Sequence, residues 1–111
     1  MGTQEGGKAP ETKPERRLAH SLSHGNIWLS LLSLLRRRGK AYAYELDGLV
    51  EDGFGYRPGR VMVYVVLYKL EAEGLIRSSF EGRRKYYAIT AKGGRALSFA
   101  KGHLARLAKK L

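Results

Sequence analysis

Two groups of cationic side chains carry the chemistry that this sequence offers. Arg57 and Arg60 bracket Pro58 and Gly59, just ahead of an apolar run that begins at Val61. Arg77, Arg83, Arg84 and Lys85 crowd a second stretch some twenty residues on. A guanidinium can bond a guanine edge bidentately, and the methyls of Val61 suit a thymine methyl. Tyr64, one helical turn beyond, completes that candidate set. The second group suits phosphate oxygens, which need charge but no base edge. Each arginine alone is adequately explained as a solvated side chain. Two arginines at one tip beside four cations around one turn point to a polyanion. Nothing offers catalysis or metal binding. His20 and His24 stand at i, i+4 but lack further ligands, cysteine is absent, and no serine has a positioned base. Gly53-Phe54-Gly55 follows no strand, so no phosphate loop is implied. The chain is expected to be no enzyme and to need no cofactor.

The elements that must position these cations can be read from periodicity and punctuation. Val63, Val66, Leu67 and Leu70 recur at i, i+3, i+4 and i+7, which predicts a helix from about Val61 to Glu73, with Gly74 as its stop. The β-branched run Val61 to Val66 favours a strand locally, but its unbroken continuation to Glu73 is too long for one. Pro58 suits the first turn. Phe80-Glu81-Gly82-Arg83 reads as a turn, and Arg84 to Ile89 alternates as a strand, so Leu75 to Thr90 is a hairpin. Upstream, Asn26 is the expected N-cap of a helix from Ile27 to Arg38, ended by Gly39. Tyr42 to Glu51 is a second helix, with Ala43, Leu46, Leu49 and Val50 inward, and Asp52 to Arg57 is a loop. Two short helices joined by a glycine-bearing turn, then a hairpin, form a winged helix-turn-helix.

Thr90 caps a last helix whose Leu97, Ala100, Leu104, Leu107 and Leu111 are spaced 3, 4, 3, 4. The helix Ile27 to Arg38 is apolar on nearly every face. Together they predict a homodimer interface of Trp28, Leu32, Leu97, Ala100, Leu104, Leu107 and Leu111, the alternative being that the stripe packs on its own domain. The fold class is therefore mainly α with a small β-hairpin. Residues 1–24 are expected to be a flexible tail, with Met1 to Glu15 disordered and Arg16 to Leu22 open between a short helical lead-in and an extension of the next helix. Residues 25–90 are the DNA-binding domain, and 91–111 are the dimerisation helix.

Charge placement sharpens this reading. The 111 residues carry a formal net charge of +11 and a pI of about 10.2. From Leu75 to Leu111 ten basic residues face one acid, Glu81, whereas Glu45, Asp47, Glu51 and Asp52 cluster on the second helix. That asymmetry suits an oriented polyanion-binding face better than a uniformly solvated coat. No apolar run is long enough to span a membrane, and the N-terminus is too polar for a signal peptide, so a cytoplasmic location is expected.

Several motifs fall in order. Tyr44-Glu45-Leu46 is followed by Tyr64, Leu67, Leu70-Glu71 and Gly74-Leu75-Ile76, then Arg84-Lys85-Tyr86-Tyr87 and Ile89-Thr90-Ala91-Lys92-Gly93. From about Ile27 to Leu97 the chain resembles the PadR family of transcriptional regulators. It departs from that pattern at Val61-Met62, where the family usually has Gly-Thr, and at Val65, where a proline is usual. The resemblance implies a dimeric regulator of double-stranded DNA, a repressor, answering to a flat aromatic or lipophilic effector. Trp28 is the residue best able to stack on such a ligand, although a core or interface tryptophan is the plainer account. A second class stays open: a winged-helix protein that binds nucleic acid by charge alone, in an architectural or RNA-associated role.

Overall fold

A computed structural model describes residues 8–111. Five helices and a small sheet follow one another: α1 (Lys13–Ser21), α2 (Ile27–Arg38), β1 (Ala41–Tyr42), α3 (Leu46–Phe54), α4 (Arg60–Ala72), β2 (Ile76–Glu81), β3 (Arg84–Ile89) and α5 (Ala91–Lys110). Short 3-10 turns at His24–Asn26 and Ala43–Glu45 precede α2 and α3. The sheet is antiparallel in the order β1-β3-β2, with Tyr42 opposite Tyr86 and Glu81 opposite Arg84. This is a winged helix-turn-helix.

Helix α2 is the hub. It packs on α3, α4, α5 and β3, and it buries Ile27, Leu31, Leu32, Leu34 and Leu35. Its bounds follow the punctuation, although Asn26 does not cap it with its side chain. The Asn26 amide instead accepts from Trp28 Nε1 at 3.0 Å and donates to the Ser21 carbonyl at 2.7 Å. The apolar face expected to await a second subunit is largely covered by α5 of the same chain. Leu32 is wholly buried, and Leu97 and Ala100 nearly so. These three belong to the intrachain core. Periodicity marks a face as buried, but it does not say by which chain.

The stop after α4 is a Schellman motif. Gly74 takes φ +78°, its N–H bonds the Glu71 carbonyl at 2.9 Å, and the Leu75 N–H bonds the Leu70 carbonyl at 2.9 Å. The hairpin closes with two residues, Gly82 at φ +64° and Arg83, so β2 runs on through Phe80 and Glu81, which the sequence reading had placed in the turn. Two further boundaries differ. Helix α3 starts at Leu46 and continues to Phe54, because Ala41 and Tyr42 pair with β3 and Ala43 to Glu45 form a 3-10 turn. Pro58 lies ahead of α4 rather than in its first turn.

The N-terminal region also departs from the expectation. Residues 1–7 of the anticipated tail lie outside the described residues, but Thr12 opens α1 with a capping box. Its hydroxyl accepts from the Glu15 N–H at 3.3 Å, and the Glu15 carboxylate accepts from the Thr12 and Glu11 N–H groups at 2.9 and 2.8 Å. Those backbone donors, Glu11 first, hold the Glu15 carboxyl below its ordinary pKa. The cap is therefore intact above the usual glutamate range and is lost as pH falls through the depressed value. None of the α1 residues is buried.

Helix α5 starts as expected, with Thr90 Oγ1 accepting from the Gly93 N–H at 3.1 Å. A Cβ on Gly93 would fall 2.0 Å from the Leu75 carbonyl oxygen, whereas one on Gly94 would meet nothing within 4 Å. The close approach bolts α5 to the junction of α4 and the wing. Gly93→Ala should thus lose about 1–3 kcal/mol through overpacking, despite alanine's better helix propensity. Gly94→Ala should gain up to about 1 kcal/mol from that same propensity. Urea denaturation of the two variants separates the effects.

Candidate nucleic-acid interface

The segment between α3 and α4 sets the angle at which α4 leaves the domain. Gly55 ends α3 in the left-handed region at φ +76°, and Gly59 precedes α4 at φ +92°. Between them the chain is fastened to α3 by Asp47, a buried carboxylate in the first turn of that helix. Asp47 Oδ1 accepts from the Gly59 N–H at 2.9 Å, and Oδ2 accepts from Arg57 Nε at 3.1 Å. Glu51, one turn further along α3, takes the Arg57 Nη1 at 2.6 Å. The Glu51 hydrogen bond, followed by the charge of Asp47, raises the Arg57 pKa above its ordinary value. A raised value means that Arg57 keeps its charge up to and beyond the ordinary arginine range, so its own titration does not undo the pairing. Arg57, expected at the base-reading tip, is instead committed to two carboxylates and fastens the turn.

Arg60 is different. It is the first residue of α4, and its guanidinium carbon lies 4.1 Å above the centre of the Tyr44 ring. Tyr44 stacks on Tyr42 at 6.0 Å between centroids, and Arg84 of the wing sits 4.9 Å over Tyr42. Tyr42 also meets Tyr86 at 5.8 Å, with Lys40 lying 5.1 Å over that ring and paired with Glu81. A row thus runs from Arg60 through two tyrosines to Arg84, joining helix tip to wing. The neighbouring Tyr86 phenol is the first cause of a raised Arg84 pKa. Exposed cation–π contacts stabilise by about 0.5–1 kcal/mol each, enough to bias a long side chain towards one pose.

Sequence reasoning missed Tyr42 and Tyr44 as part of this surface. The signal was the alternation Ala41-Tyr42-Ala43-Tyr44, with both alanines buried and the tyrosines outward, which is a strand period rather than a helical one.

The other candidates divide by face. Strand pairing sets Arg77 opposite Ala88 and Glu81 opposite Arg84, so Arg77 shares the outer sheet face with Arg84, Tyr86 and Tyr42. Arg83 is exposed at the tip of the turn. Lys85 is opposite Phe80 on the other face, and it folds back over the Phe80 and Tyr87 rings at 5.9 and 5.5 Å. Val61 and Tyr64 are exposed on α4. At the far end of the molecule Leu104 and Leu107 on α5, and Leu111 just past its end, are exposed. Trp28 is half-buried and lines a cavity of about 400 Å³ with Met62, Val66, Leu70, Leu75 and Ala96. His20 and His24 stack at 5.4 Å across the break between α1 and the 3-10 turn. Among the described residues no group of three or more potential metal ligands occurs, and no helix is long and apolar enough to cross a membrane.

The chain is similar to a PadR-family transcriptional regulator of Eggerthella lenta, with 27% identity, a TM-score of 0.74 and 86% of each chain covered. It is also similar to a transcriptional regulator of Clostridium thermocellum, with 28% identity and a TM-score of 0.69, covering 81% of this chain and 92% of that one. A winged-helix DNA-binding protein from STIV shares the fold at 15% identity and a TM-score of 0.66, over 74% of this chain and 89% of that one. No curated protein sequence gives a significant match. The family model for PadR-like transcriptional regulators matches residues 31–98, which span α2, the helix-turn-helix, the wing and the start of α5. The chain belongs to the PadR-like family of transcriptional regulators.

Proposed function

We propose that the chain is a sequence-specific DNA-binding repressor, not an enzyme, acting in the cytoplasm as a homodimer. The observation that carries this reading is the row from Arg60 to Arg84. It places one cation at the N-terminus of α4, where base edges are read, and another on the wing, where backbone phosphates run. Tyr44 is the positioning residue for Arg60. Arg77 and Arg83 extend the phosphate-facing set, while Arg57 acts through the turn rather than on DNA. Two copies of α4 in a two-fold dimer would enter successive major grooves, with half-sites about one helical turn apart or a multiple of it.

Support for the dimer comes from apolar surface left open away from the wing. Leu104 and Leu107 on α5, Leu111 just past its end, Leu18 on α1 and Leu22 just past that helix are exposed. Leu22, Leu29, Phe54, Leu97 and Leu104 line a groove between these elements. Helix α1, which buries nothing in its own chain, is the element such a groove lacks. The effector implied by the family resemblance has a candidate site in the cavity beside Trp28. Quenching of the indole emission by planar lipophilic compounds is the measurement for it.

Two experiments test the proposal. In binding assays on an operator enriched from random duplex, Arg60→Ala should cost about 1–3 kcal/mol and relax the preference at one base pair. Tyr44→Leu should relax that same position by a smaller amount, about 0.5–1 kcal/mol, and Tyr44→Phe should restore it. Arg83→Ala combined with Arg84→Ala should weaken all DNA alike and flatten the salt slope by about one unit per lost phosphate contact. A uniform loss in every variant, without change in base preference, would leave the charge-only architectural or RNA-associated reading instead. For assembly, sedimentation should show a dimer at micromolar concentration, converted to monomer by Leu104→Glu or Leu107→Glu. A monomeric unmodified chain would overturn that part.

A further inference from the structure

We propose that α4 reads thymine C5-methyl groups through an apolar stripe of Val61, Val65 and Tyr68, with Arg60 as its one charged base reader. The inference rests on the DNA-binding reading above and names the kind of sequence it selects. Val61 and Tyr68 are each 76% exposed and Val65 is 39% exposed. They recur at i, i+4 and i+7 on the side of α4 opposite the buried Val63, Leu67 and Leu70.

Folding does not account for this stripe. Valine is a poor helix former, and at exposed positions it adds nothing to the core. Apart from Arg60, and from Lys69 and Glu71 near its far end, α4 holds none of the side chains usually used for base edges: from Arg60 to Ala72 it has no Asn, Gln, Ser, Thr or His.

Its surroundings say what covers it. Arg60 and the row leading to Arg84 lie beside it, and no carboxylate occurs between Asp52 and Glu71. An apolar surface in a cationic frame suits a partner that is anionic outside and apolar at one repeated group. In the major groove that group is the thymine methyl, the apolar feature of the base edges. Val61 and Val65 are about 6 Å apart along the helix. That is about two base steps at roughly 3.4 Å each. Each half-site should therefore carry two thymines within two base pairs of one another, and Tyr68, a turn further on, should meet a third methyl or the adjoining phosphate.

The test replaces the methyl rather than the fold. An operator is enriched from random duplex with the full chain, and its thymines are exchanged one at a time for deoxyuridine, which pairs identically but lacks the methyl. At two positions per half-site the exchange should weaken binding about fourfold, the value of one buried methyl-sized group. Val61→Ala should erase the discrimination at one of these positions and Val65→Ala at the other, while the base preference set by Arg60 stays. Sequence-specific binding indifferent to deoxyuridine at every position would overturn the inference and leave the regulator standing. Binding without any sequence preference would overturn both.

Discussion

The buried carboxylate of Asp47 is the interaction on which the functional surface depends. A carboxylate removed from water is costly unless its lone pairs are met. Here one oxygen takes a backbone N–H at Gly59 and the other a guanidinium nitrogen of Arg57. Both donors lie in the segment between α3 and α4, so satisfying the charge fixes that segment against α3. The first residue of α4 follows immediately, which places Arg60 within reach of the Tyr44 ring. A donor lost from such a site costs about 1–3 kcal/mol, comparable to the worth of a base contact. Stability of the turn and aim of the recognition helix are therefore one quantity seen from two sides.

The wing is fixed from the opposite end. The Thr90 N–H bonds the Leu75 carbonyl at 3.1 Å, the Thr90 hydroxyl donates to the Gly74 carbonyl at 2.7 Å, and Lys92 Nζ donates to the Glu73 carbonyl at 2.8 Å. Gly93 permits that approach because nothing larger than hydrogen fits above the Leu75 oxygen. The end of α4, both ends of the hairpin and the start of α5 thus share one joint. Ser78 on β2 adds a 2.7 Å bond to Glu71 on α4. A disturbance in α5 is consequently felt at the wing through backbone hydrogen bonds, without needing a long relay of side chains.

What the sequence made legible was local. Gly39 ended α2, Gly74 ended α4, and Thr90 began α5, since each acts on its own neighbours. Legible too was the grouping of cations near a helix tip and a hairpin. What escaped depended on distant partners. The strand Ala41–Tyr42 is only two residues long, so its brief alternation was easily read as helix, and it exists because β3 is there to pair with it. Arg57 looked like a free tip residue because its partners lie six and ten positions earlier, on the preceding helix. The capping box at Thr12 and Glu15 was local and readable, but the polar composition around it argued for a tail more loudly than the motif argued for a helix. Leu32, Leu97 and Ala100 carried the message of burial without saying which chain would bury them.

The two ways in which this protein holds its cations have different consequences for binding. Arg57 and Arg38 are held by carboxylates, and Arg60 and Arg84 by tyrosine rings. A carboxylate fixes a guanidinium by cancelling its charge, and it would itself repel an approaching phosphate. A ring attracts the cation through its quadrupole, at less energy, and leaves the net charge undiminished. It also covers only one face of the planar group, so the five N–H donors at its edge remain free for bidentate bonding. Tyrosine is therefore the better support for a cation that must be both pre-positioned and available, and a carboxylate for one whose task is internal. On that criterion the acidic residues of α3 and the tyrosines beside them sort the arginines of this face into those that build the surface and those that act from it.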